Sequence, residues 1–342
     1  MSNERLIDRF DAVLSDLDGV VYAGPHAIPA APEAFQRLET EKIPVVFVTN
    51  NASRSVEHVA EHLRKLGVPT SADRVVSSAQ AAADVLKNRL EEGSRILVTG
   101  SSSLAQIIRE AGMYPVWSQQ DYPHAVVQGF DPGIGWKDLA EAAFALANPD
   151  VLWVATNTDA SIPQARGIAP GNGTLVAAVA SATRRHPIVA GKPEAAIFQV
   201  AAQRVQTHRP VVVGDRLDTD ILGGNRAGFA TIAVLTGIDT PETILGATTP
   251  ERPQIMINTL EDLFHPVPMA QVVASTNRTD GAASSMVEAR CGDAMARAAA
   301  EHVNITGDRQ DLNAWRAACA AWWTLKPQVS EAKVPQISWE IP

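Results

Sequence analysis

Asp16 and Asp18 stand two positions apart at the end of an apolar run, with Gly19 directly after them. In an extended chain residues i and i+2 point to the same side, so the two carboxylates are expected to project together. Three more segments offer matching chemistry. Thr49-Asn50-Asn51 closes a second apolar run with a hydroxyl and amides suited to a phosphate. A third run, 211–213, enters Gly214-Asp215-Arg216-Leu217-Asp218-Thr219-Asp220, and Lys192, in Ala190-Gly191-Lys192-Pro193, opens the helical stretch leading into it. Carboxylates gathered at one edge repel one another unless a cation sits among them, and oxygen donors without His or Cys suit Mg²⁺. A divalent cation with Lys192 and Thr49 makes a site for a phosphoryl group. One carboxylate, ionised at neutral pH from a reference pKa of ~3.9, can then act as nucleophile. Taken singly, each segment has a plainer reading: a helix cap, a turn, a solvated lysine, a capping stretch before a helix. All four fall after strands or at helix starts, in one order, which favours a shared site.

The elements that must position these residues are legible as alternation. Short Val- and Ile-rich runs at 12–17, 44–48, 96–99, 125–128, 151–155, 211–213, 231–235 and 254–257 read as strands covered on both faces. Amphipathic stretches at 32–40, 56–66, 80–90 and 193–205 read as helices between them. Such alternation predicts an α/β fold with a Rossmann-like parallel-sheet core, whose carboxyl edge is where ligands bind. The middle has strands and helices of its own and a Pro- and Gly-containing stretch, 157–173, without predicted structure, so it reads as an inserted α/β cap domain with that loop as its working edge. The expected division is a core in two parts, 1–78 and 186–265, a cap at 79–185, and a small C-terminal α+β extension at 266–342. In the extension, Ala-rich patterns predict helices at 294–301 and 312–323 and a strand at 334–340. Four of the chain's seven tryptophans lie there: Trp315, Trp322, Trp323 and Trp339.

Composition narrows the function classes. The 342 residues are 46% hydrophobic and 20% charged, enough for packed cores and incompatible with wholesale disorder. A formal net charge of −9 without a basic run argues against nucleic acid or an anionic membrane as partner. No run approaches the ~18 apolar residues of a membrane span, and the first residues lack the apolar stretch of a signal peptide. Cys291 and Cys319 make neither a disulfide scaffold nor metal-ligand spacing. The expectation is a cytoplasmic enzyme.

On Asp16-Leu17-Asp18-Gly19-Val20-Val21-Tyr22, Thr49-Asn50-Asn51, Lys192, and Gly214-Asp215 through Asp220, the chain resembles the haloacid dehalogenase superfamily. Within it the chain is similar to the phosphatases with a large α/β cap, the p-nitrophenylphosphatase-like branch. Ala155-Thr156-Asn157-Thr158-Asp159 and Pro170-Gly171-Asn172-Gly173 in the middle segment also look like that branch. The resemblance implies that Asp16 attacks phosphorus and Asp18 serves as acid, then base. It implies Mg²⁺ held by Asp16, the Asp18 carbonyl and Asp215, with Asp220 orienting that shell. Gly19, Thr49, Asn50, Asn51 and Lys192 would bind the phosphoryl group. An acid two places after the nucleophile favours phosphate esters, since dehalogenating relatives lack it and pump ATPases carry Thr there.

The cap loop, with Asn157, Asp159, Ile162 and Arg166, would face the leaving group. It holds no stacking aromatic, which argues against a nucleotide or pyridoxal phosphate and for a small phosphorylated metabolite. The tail resembles that of actinobacterial glycerol-3-phosphate phosphatases with an acetyltransferase-like extension. However, Ala289 stands where an acetyltransferase needs Gln or Arg before Gly292-Asp293-Ala294, so acetyl transfer is not expected. Glycerol 3-phosphate therefore leads, ahead of 2-phosphoglycolate. The alternative is a binding or assembly protein dominated by its tail, with a homo-oligomer left open.

Overall fold

The strand Ala12–Ser15 is buried along its whole length, as are Pro210–Gly214 and Ile255–Ile257. Such continuous apolar runs cannot face water on either side and therefore lie inside a layered sheet. The computed structural model describes residues 4–164, 166–276 and 285–340. The chain divides into two units, Met1–Pro44 with Thr207–Pro342, and Val45–Gln206.

In the first unit four parallel strands lie in the order Ile255–Ile257, Ala230–Val234, Pro210–Gly214, Ala12–Ser15. The first strand stops at Ser15, two residues short of the predicted end. There the chain turns: the Val20 and Val21 N–H groups donate to the Leu17 carbonyl, and Gly19 takes φ +82°, a region only glycine enters freely. Asp16 and Asp18 thus sit in the turn beyond the strand, and the same-side argument for an extended pair does not apply to them.

The same unit carries a five-stranded sheet in the order Gln271–Thr276, Met286–Cys291, Ala294–Ala299, His302–Thr306, Gln336–Glu340. It is antiparallel except for its last pair. The predicted helix at 294–301 is therefore a strand. Alanine's helical propensity gave way to a two-residue hairpin turn at Gly292-Asp293, where Gly292 takes φ +58°. The strand alternates, with Ala294, Ala296 and Ala298 buried. Against that face packs the helix Leu312–Leu325, through Ala314, Ala317, Ala318 and Ala321, all 0% exposed. Small residues on both surfaces let helix and sheet approach closely. One apolar cluster joins this layer to Leu217, Ile221, Ala233, Ile244, Leu245 and Met256 of the parallel-sheet layer.

In the second unit Val45–Thr49 pairs in parallel with Val75–Ser77. A five-stranded parallel sheet follows in the order Ile188–Val189, Leu152–Ala155, Ala125–Gln128, Arg95–Thr99, Tyr114–Val116. Helices Trp136–Leu146 and Asn172–Thr183 cover Leu97, Val126, Trp153 and Ala155 on one face. The stretch 157–173 is not structureless: Ser161–Gln164 and Gly167–Pro170 form an antiparallel hairpin, with Ala165 outside the described residues. The helix Ser102–Glu110 follows the strand Arg95–Thr99, and Ser101 caps it, its hydroxyl accepting from the Leu104 N–H at 3.1 Å. Among the described residues no helix is long and apolar enough to cross a membrane.

Candidate active site

Within the first unit, Asp16, Asp215 and Asp220 bring carboxylate oxygens to within 4.8 Å of one another. They are 8%, 3% and 1% exposed. Two unit charges at that distance repel by about 3 kcal/mol at an effective dielectric near 20, so the trio needs a cation or protons to persist. Each is placed by its backbone. The Asp16 N–H donates to the Val213 carbonyl at 2.9 Å, joining the ends of two neighbouring strands. Asp215 follows the strand Pro210–Gly214, and its Oδ2 accepts from the Ile238 N–H at 2.8 Å. Asp220 lies in the π-helical turn Leu217–Ile221, its Oδ2 accepting from the Arg216 N–H at 3.3 Å.

Glycines make room for these carboxylates. A Cβ on Gly19 or Gly237 would overlap the Asp215 carboxylate, and one on Gly214 would overlap Asp220. Asp18 is exposed in the turn, and Asp218 is engaged with Arg216 at 2.8 Å, outside the carboxylate trio. Sequence reading passed over Thr236, Gly237, Ile238 and Asp239. The Thr236 hydroxyl donates to the Gly19 carbonyl at 2.6 Å, and Asp239 accepts from the Leu217 N–H at 2.7 Å. The available signal was positional: these residues follow the strand Ala230–Val234, as the other site segments follow theirs.

Within the second unit, Thr49 and Lys192 are 3% and 4% exposed. Thr49 ends its strand, and its hydroxyl oxygen accepts from the Asn51 N–H at 3.1 Å. Asn51 turns its own carboxamide oxygen to the Ser53 N–H and hydroxyl at 2.9 and 2.8 Å, fixing the loop. Asn50 Oδ1 accepts from the Lys192 N–H at 2.8 Å, while Nδ2 donates to the Lys192 carbonyl at 3.1 Å. Thr49, Asn50, Asn51 and Lys192 are therefore one local cluster. Of the predicted loop residues, Asn157 and Asp159 join it: Asn157 Nδ2 donates to the Asn50 carbonyl at 2.8 Å, and Asp159 accepts from Asn50 Nδ2 at 3.1 Å. Ile162, in the hairpin, is half-buried, and Arg166 is exposed.

The geometry of each cluster suits phosphate chemistry: an acidic oxygen set that can hold a hard cation, and a hydroxyl–lysine set that can hold anionic oxygens. Residues 13–114 match the family described as haloacid dehalogenase-like hydrolase, and 189–263 match a second haloacid dehalogenase hydrolase-like family. A D-glycerol 3-phosphate phosphatase of Mycobacterium tuberculosis is 43% identical over 253 residues, 74% of this chain and 70% of that protein. A glycerol-3-phosphate phosphatase of Gallus gallus is 37% identical over 258 residues, 69% of this chain and 83% of that protein. Among solved structures, a glycerol phosphate phosphatase of M. tuberculosis in complex with magnesium aligns at TM-score 0.82 and 35% identity, over 99% of this chain and 95% of that one. The chain belongs to the haloacid dehalogenase-like hydrolases. Within that family it is a phosphatase.

Proposed function

We propose that the chain hydrolyses a small phosphate monoester, glycerol 3-phosphate first, with Mg²⁺ as cofactor. The observation that carries this is the buried trio Asp16, Asp215 and Asp220 in a chain 43% identical to a D-glycerol 3-phosphate phosphatase. Their all-oxygen donor set fits Mg²⁺, and a structural relative was solved with that ion. Asp16, Asp215 and the Asp18 carbonyl would hold it, with Asp220 orienting them. When bound, the ion offsets carboxylate repulsion and draws negative charge from the phosphoryl group.

The chain's own residues do the rest. An Asp16 carboxylate oxygen attacks phosphorus, and the bond from phosphorus to the ester oxygen breaks. Asp18, exposed at the turn, gives its proton to the departing alkoxide. A water then attacks the aspartyl-phosphate as Asp18 takes its proton, releasing inorganic phosphate and restoring Asp16. Gly19, Thr49, Asn51, the Asn50 backbone and Lys192 hold the phosphoryl oxygens as charge builds up.

The same proposal assigns 1–78 and 186–265 to the core, 79–185 to the cap, and the leaving-group contacts to Asn157, Asp159, Ile162 and Arg166. No acetyl transfer is assigned to the tail. Gly292-Asp293, which would have to open a helix, makes a hairpin turn, and Ala289 is fully buried in its strand. Steady-state assays of purified protein on glycerol 3-phosphate, 2-phosphoglycolate, pyridoxal phosphate and a nucleoside monophosphate test the reading. The highest kcat/KM on glycerol 3-phosphate is expected, lost in EDTA and restored by Mg²⁺. Phosphatase activity insensitive to EDTA would reject the metal, and preference for another ester would reject the substrate.

A further inference from the structure

The Asn50 side chain has no part in the chemistry above, which uses only its backbone, yet it is the point where three segments of the second unit meet. Its carboxamide is used on every side. Oδ1 accepts from the Lys192 N–H at 2.8 Å, and Nδ2 donates to the Lys192 carbonyl at 3.1 Å and to both Asp159 carboxylate oxygens at 3.1 and 3.2 Å. Its backbone carbonyl accepts from the Ser78 hydroxyl at 2.7 Å and from Asn157 Nδ2 at 2.8 Å. Only an amide fits: one edge must accept from a peptide N–H while the other donates twice, to a carbonyl and a carboxylate. The neighbouring backbone is shaped to it, since a Cβ on Gly191 would stand 2.5 Å from Asn50 Oδ1 and would also overlap the Thr156 carbonyl.

Asp159 is a fixed point in its own loop. Its N–H donates to Asn157 Oδ1 at 3.2 Å, and its carbonyl accepts from the Gly173 N–H at 2.9 Å, tying the foot of the 161–170 hairpin to the start of the helix Asn172–Thr183. Asn172 Nδ2 reaches back to the Asn157 carbonyl at 2.7 Å. A displacement of this foot therefore reaches Asn50, and through the backbone N–H and carbonyl of Lys192 it reaches that lysine.

We propose that the Asn50 side chain is a positioning residue, a latch that fastens the foot of the hairpin, through Asp159, to the loop carrying Lys192. The loop facing the leaving group and the lysine that holds the phosphoryl group are then set by a single amide. Only the catalytic consequence rests on the phosphatase reading; the latch itself does not.

The test compares the wild-type chain with Asn50→Asp and with the pair Asn50→Asp and Asp159→Asn. The single variant keeps size and the acceptor for the Lys192 N–H but sets two carboxylates against each other. The pair restores a donor–acceptor bond of reversed sense. Hydrogen exchange without substrate is expected to quicken about tenfold or more over 157–173 and 191–194 in the single variant and to recover over 157–173 in the pair. With glycerol 3-phosphate, kcat/KM is expected to fall about 30-fold in the single variant and to regain about tenfold in the pair. Unchanged exchange in the single variant, or a pair no better than the single variant in both readouts, overturns the latch. If Asn50→Asp does not fold, Asp159→Ala replaces it, and exchange at 191–194 that stays at the wild-type rate overturns the proposal. A wild-type chain that cleaves no phosphate ester removes the functional reading, while the exchange comparison still decides the latch.

Discussion

Asp215 shows how a carboxylate can be forced into an acidic site by what surrounds it. It is 3% exposed, held by the Ile238 N–H, and pressed by the backbones of Gly19 and Gly237, neither of which has room for a methyl group. Gly237→Ala is expected to displace the Asp215 carboxylate and to weaken apparent Mg²⁺ affinity about 10- to 100-fold, the range for a disturbed support of a metal ligand. Activity titrated with Mg²⁺ reads that shift, and an unchanged half-saturation point counts against the placement. Asp16→Asn is expected to reduce turnover by about 10³-fold or more while the thermal midpoint holds or rises, since one of three mutually repelling charges is gone. Retained turnover rejects the nucleophile. Both residues were legible from the acidic motifs, but Thr236 and Gly237 were not, because hydroxyl and glycine residues after a strand look like any turn.

At the scale of elements, eight parallel strands were readable, but the short strands Val75–Ser77, Tyr114–Val116 and Ile188–Val189 were not, and of the tail's sheet only the last strand, Gln336–Glu340, was. Parallel strands buried on both faces are unbroken Val and Ile runs that no exposed helix could carry. The strand Ala294–Ala299 offers only alanine, arginine and methionine, whose local preference is helical, and its partner strands Met286–Cys291 and His302–Thr306, although they alternate, are only five or six residues long and were passed over. Its state is set by the Gly292-Asp293 turn and by the alanine face of the helix Leu312–Leu325. Ala298→Leu is expected to destabilise by about 1–3 kcal/mol through overpacking, and Ala299→Leu, on the half-buried opposite side, by less. Chemical denaturation compares them; equal losses would mean that the two alanines do not alternate. The 157–173 stretch repeats the lesson, because a short exposed hairpin containing Pro and Gly reads as irregular chain until its pairing is seen.

At the scale of the whole molecule, the tail is built into the first unit. The Trp323 indole N–H donates to the Leu245 carbonyl at 3.1 Å, Arg316 to the Met256 carbonyl at 2.6 Å, and Arg252 to the Lys326 carbonyl at 2.7 Å. Deleting 268–342 would uncover the cluster around Ile221, Ile244 and Leu245, so the truncated chain is expected to aggregate rather than to survive as a smaller enzyme. Size-exclusion chromatography reads the outcome, and a soluble, active truncation would reject this account of the tail. Burial in the same layer raises the pKa of both Cys319 and Cys291. The folded state then holds protons that the unfolded thiols release, so this contribution to stability is present below an unfolded thiol pKa of ~8.5 and is lost as pH rises beyond it. Melting measured from pH 7 to pH 10 is expected to show that decline, absent when both cysteines are replaced by alanine.

The sequence alone determined the chemistry and the frame that carries it. Acidic, hydroxyl and lysine groups lie at the ends of apolar runs, and both features are local: residue type at fixed spacing, and side chains too apolar to face water. Tertiary structure alone decided that Thr236 and Gly237 close on Gly19 and Asp215, that Asn50 ties Lys192 to Asp159, and that an alanine-rich segment is a strand. Each of these depends on partners far away in the chain, and a segment whose local preferences are weak or mistaken takes its conformation from what it packs against.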